Sequence, residues 1–201
     1  SFLGYIIQGH EGGDIYFAGD TARLGNDEKT VDYVRMLRKH YPNIRWNFQP
    51  GGPDEVRKDM ETTHQASVHA LWMHTEMMLR SIREKNRTIT LEDFILEARK
   101  FKTIFMHTMT FKLGNLHLSD TKDSVKKVLD ALQSQIVPAD MKEYECQVYE
   151  ELSSFCEKIS FVEGEKLSYE ALADLLRETV IVPKIGSRLD LEAPKQNQQE
   201  K

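Results

Sequence analysis

Two residues of this chain pair a side chain able to hold a metal with a position just past an apolar run. Asp20 follows Ile15-Tyr16-Phe17-Ala18-Gly19, and His107 follows Thr103-Ile104-Phe105-Met106. A carboxylate or imidazole at the end of a core strand is exposed enough to meet a ligand and rigid enough to hold its aim. Taken singly, each has a plainer reading. An aspartate there readily makes an Asx turn or caps a helix, and a histidine there readily bonds the backbone of a core. Taken together, an aspartate oxygen and a histidine nitrogen delivered by neighbouring strands can converge on one metal, and they suit zinc at roughly 2.0–2.2 Å. Two ligands are too few for a stable site, so partners must come from elsewhere.

The elements that position these residues are legible as alternating strands and helices. Gly4 to Gln8 and Ile15 to Ala18 read as two strands joined by His10-Glu11-Gly12-Gly13-Asp14, whose paired glycines offer the positive φ of a hairpin turn. A helix is expected over Lys29 to Lys39, with Val31, Val34, Met36 and Leu37 as a partial stripe. Ile44 to Phe48 reads as a strand closed by Gln49-Pro50-Gly51-Gly52-Pro53. A helix over Ala66 to Glu84 presents Val68, Leu71, Trp72, Leu79 and Ile82 on one face. Thr90-Leu91-Glu92-Asp93 resembles a capping box opening a short helix to about Lys100. Thr103 to Met106 is then a short buried strand ending at His107.

After Leu118 the pattern turns wholly helical. Val125, Val128, Leu129 and Leu132 recur at i, i+3, i+4 and i+7, and Met141, Tyr144, Val148, Leu152, Phe155 and Ile159 continue the period. Ser168 is placed to cap a further helix carrying Leu172, Leu175 and Leu176. The expected class is therefore α/β over residues 1–118, a helical extension over 119–191, and a polar, flexible tail over 192–201.

Within this frame the Ile15–Thr21 run resembles the F-x-G-D-T segment of the metallo-β-lactamase superfamily. Thr103 to Leu113, with His107 and then Thr110-Phe111-Lys112-Leu113, resembles the strand, histidine and T-F-x-L segment of one branch. That branch includes N-acylphosphatidylethanolamine-hydrolysing phospholipase D and ascorbate-6-phosphate lactonase. Between the two, the Pro50–Pro53 loop and Met60-Glu61-Thr62-Thr63-His64 stand where the branch has a Pro-Gly loop and a histidine before a helix. The resemblance covers roughly residues 1 to 118. It implies that Asp20 is the catalytic carboxylate bridging two zinc ions, that His107 is the last histidine ligand of the second metal, and that His64 binds near the substrate. It further implies the C-terminal part of an αββα sandwich and a metal-dependent hydrolase acting through activated hydroxide on a phosphodiester, a lactone or another ester, lipid-like substrates included.

The departures from that pattern are as specific. The superfamily's H-x-H-x-D-H cluster is absent, as is any H-x-H. In the family those ligands precede the strand at which this chain starts, so an N-terminally truncated copy, inactive by itself, is the expectation. The branch's His-Trp-Gly-Thr is here His107-Thr108-Met109-Thr110. A non-catalytic interaction module that keeps the fold, with the helical region as an oligomerisation surface, is the alternative.

Other signals exclude more than they assign. His64, His69 and His74 recur every five residues. That spacing turns a helix by roughly 140° beyond a full circle, so they cannot share one ligand face and read as solvated or partly packed. No G-x-S-x-G, H-E-x-x-H, P-loop or dinucleotide fingerprint occurs. Across 201 residues the formal net charge is −5, and no basic patch dominates, which argues against nucleic-acid binding. No apolar run approaches the roughly 20 residues of a membrane helix. The only cysteines, Cys146 and Cys156, lie ten apart in one helical pattern. No disulfide framework is expected, and a reducing, cytoplasmic setting is the default.

Overall fold

A computed structural model describes residues 4–9, 11–18, 36–50, 71, 74, 75, 78, 88–106, 118–183, 188 and 191. Five strands make one sheet in chain order: β1 (Tyr5–Ile7), β2 (Asp14–Phe17), β3 (Ile44–Pro50), β4 (Lys102–Met106) and β5 (Val180–Ile181). β1 runs antiparallel to β2, and β2 through β5 are mutually parallel. The chain is thus of the α/β class, as expected.

The β1–β2 hairpin forms where the alternation predicts it. Its positive φ values fall on Gly9 (84°) and Gly13 (101°), so only one of the paired glycines adopts one. Gly13 is needed twice over, since a Cβ there would sit 2.9 Å from the carbonyl oxygen of Asn43 and closer still to the Arg45 side chain. β3 runs two residues longer than the expected strand, through Pro50. Residues 36–40 are helical, one residue past the end of the helix expected over Lys29 to Lys39, and Leu71, His74, Thr75 and Met78 are helical within the one expected over Ala66 to Glu84.

Helix α1 (Leu91–Ala98) begins as its sequence suggests, with Thr90 Oγ1 accepting from the Asp93 N–H at 3.1 Å. Three longer helices follow: α2 (Leu118–Ser134), α3 (Glu143–Lys158) and α4 (Tyr169–Thr179). Glu145 reaches back to the Lys142 N–H at 2.8 Å and opens α3, and Ser168 Oγ accepts from the Ala171 N–H at 3.1 Å and opens α4. Both cysteines lie on α3 as free thiols. Ten residues along a helix is about 15 Å, beyond the reach of a disulfide.

The region after Leu118 departs from expectation in one respect. It is not wholly helical, because Val180 and Ile181 leave α4 directly and pair with Thr103 and Ile104 as the fifth strand. No turn residue marks that change of direction, and two residues are too few for a strand period to show. Its helices also share the sheet's core: one hydrophobic cluster joins Tyr16, Ile44 and Phe105 to Phe94, Leu132, Leu152 and Leu176.

Register sorts the sheet into two faces. Ile6, Tyr16, Asn47, Thr103 and Val180 form one row across the strands, and Phe17, Phe48, Ile104 and Ile181 form the next, on the opposite face. Phe17 and Phe48 stack at 4.5 Å between ring centroids. Parallel strands that follow one another in chain order are joined by right-handed crossovers, which carry successive helices to the same face. That face holds the Tyr16–Asn47–Thr103 row, and two of its members are polar.

Candidate functional site at the C-terminal edge of the sheet

Parallel strands discharge their chain ends along one edge, where open α/β sheets bind their ligands. Here β2, β3 and β4 reach that edge side by side. Ala18, just past β2, is fully buried and donates its N–H to the carbonyl of Phe48 at 2.9 Å. Met106 closes β4 opposite Pro50. Asp20, His64 and His107 themselves lie outside the described residues, as do Arg57 and Lys58. In sequence, Asp20 comes two residues after Ala18, and His107 comes one after Met106. One correction concerns spacing. β2 and β4 are not neighbours but flank β3, so their ends stand about 10 Å apart, two strand spacings.

Beneath this edge runs a polar chain that sequence reading missed. Gln49 Nε2 donates to Asn47 Oδ1 at 2.8 Å, and Asn47 Nδ2 donates to Thr103 Oγ1 at 2.9 Å. Thr103 Oγ1 meets His74 Nδ1 at 2.8 Å, and His74 Nε2 meets Thr179 Oγ1 at 2.9 Å. Thr179 Oγ1 in turn donates to the Leu175 carbonyl at 2.6 Å. All five side chains are fully buried. The expectation of a solvated or partly packed histidine is therefore overturned at His74, which also stacks on Phe101 at 5.1 Å.

The direction of every bond in this chain follows from its last one. A threonine hydroxyl has a single proton, and that of Thr179 goes to Leu175, so Thr179 Oγ1 accepts from His74 Nε2. His74 Nδ1 is then the acceptor for the Thr103 hydroxyl, whose oxygen accepts from Asn47. The imidazole is neutral: burial, with the Lys102 charge as a smaller contribution, lowers its pKa to about 3. The chain ends on Gln49 Oε1, a buried acceptor with no hydrogen-bond partner among the described residues.

The sequence signal for this chain was weak. Asn47 and Gln49 are polar residues at alternate positions of a strand, which reads as a solvated face, and they belong to the core only because a histidine and two threonines far away in sequence meet them. Among the described residues no group of three or more His, Cys, Asp or Glu is placed to hold a metal ion, and no helix is long and apolar enough to cross a membrane. Set against known proteins, the chain matches no family model, no curated protein and no solved structure.

Proposed function

We propose that the chain is the C-terminal part of a zinc-dependent hydrolase of the metallo-β-lactamase superfamily, acting on a phosphodiester, a lactone or another ester. The observation that supports this reading is the common edge: parallel β2 and β4 flank β3 and end on the same edge of the sheet, and Asp20 and His107 follow those strands closely in sequence. A gap of about 10 Å between strand ends suits an aspartate and a histidine reaching toward a metal pair roughly 3.5–4 Å across. In this reading Asp20 bridges the two ions, His107 ligates the second, and His64 lies close to the substrate. The sheet is one of the two in an αββα sandwich.

The donor set fits zinc in kind, since carboxylate oxygen and imidazole nitrogen are its ordinary ligands, and it falls short in number. Further donors come from outside these residues. When bound, such a metal pair supplies hydroxide at neutral pH by lowering the pKa of water. The chain's own part is to offset dense positive charge with the Asp20 carboxylate and to complete coordination with a neutral His107 imidazole. A non-catalytic interaction or oligomerisation module on the same fold is the second reading. It draws on Ile136 and Val137, which are 68% and 45% exposed at the turn between α2 and α3.

Zinc content decides between them. The full-length protein is expected to hold about two zinc ions per chain, with Asp20→Ala and His107→Ala losing most of the metal and the hydrolysis of a chromogenic phosphodiester or lactone. Equal zinc in the wild type and both variants overturns the hydrolase reading and leaves the module.

A further inference from the structure

We draw no further inference here: the strongest candidate, the outer edge of β1 with its exposed Tyr5 and Ile7 side chains, is an apolar strand edge for which nothing in the structure shows what covers it.

Discussion

Lowering the pH from 7 to 5 should cost the folded protein about 2 kcal/mol through His74 alone. In the unfolded chain the imidazole titrates near its ordinary 6.5, and in the fold it stays neutral down to about 3. Between those values the unfolded state binds the extra proton, so stability is fully present above pH 6.5 and is lost as the pH falls. Each pH unit in that window is worth about 1.4 kcal/mol, and the loss levels off near pH 3. Against a typical total of 5–15 kcal/mol this is a large fraction. The structural cause is explicit. Protonating Nδ1 would set an N–H against the Thr103 hydroxyl, whose oxygen already accepts from Asn47, with no solvent to reorganise around the charge. The assay is urea unfolding of wild type and His74→Gln at intervals from pH 7.5 to 4.5. Asp130 and Asp140, whose carboxyls are held below their usual range by Lys126 and Lys127 respectively, also lose stability in acid, but they do so in both proteins. The difference between the two curves isolates His74. The wild type should be the more stable at pH 7 and should lose that lead by about 2 kcal/mol at pH 5. Parallel curves would refute a neutral, desolvated imidazole at His74.

Two further outcomes test the helical region. Ser168→Ala removes the cap of α4 and should destabilise the protein by about 1 kcal/mol in chemical denaturation, while Ser168→Asp should not. Ser124→Ala withdraws the hydroxyl that donates to the buried Glu145 carboxylate at 2.7 Å, and a loss of roughly 1.5–3 kcal/mol is expected at pH 7.

What the sequence discloses here depends on how far apart the deciding residues are. β1, β2 and β4 were readable within a residue or two because alternating or continuous apolar runs are local signals, and Thr90 and Ser168 announced their helices because a cap acts over three residues. The order of strands was not readable. Nothing local says that β3 stands between β2 and β4, and this changes the separation of those two strand ends from one strand spacing to two. β5 escaped because its two residues continue straight from Thr179 without a break. His74 escaped for a deeper reason: its burial depends on Thr103 and Thr179, which are 29 and 105 residues away. A regular spacing of histidines invites a helical-face argument about ligands, and that argument says nothing about the core. Asp20, His64 and His107 lie outside the described residues, which reach to within two residues of Asp20 and one of His107 in sequence.

The antiparallel turn of β1 carries a consequence for how a complete site can be assembled. Because β1 runs against β2, with Tyr5 opposite Phe17, polypeptide joined ahead of Gly4 emerges at the rim where β2, β3 and β4 end. Had β1 been parallel, the same junction would open at the far rim, and any donor supplied from upstream would need to travel the full height of the sheet. As folded, the chain enters β1 from the rim where β2, β3 and β4 end. A tag or partner domain joined ahead of β1 would start from this same rim, so a fusion at the other end of the protein is the safer choice for the metal-binding measurements.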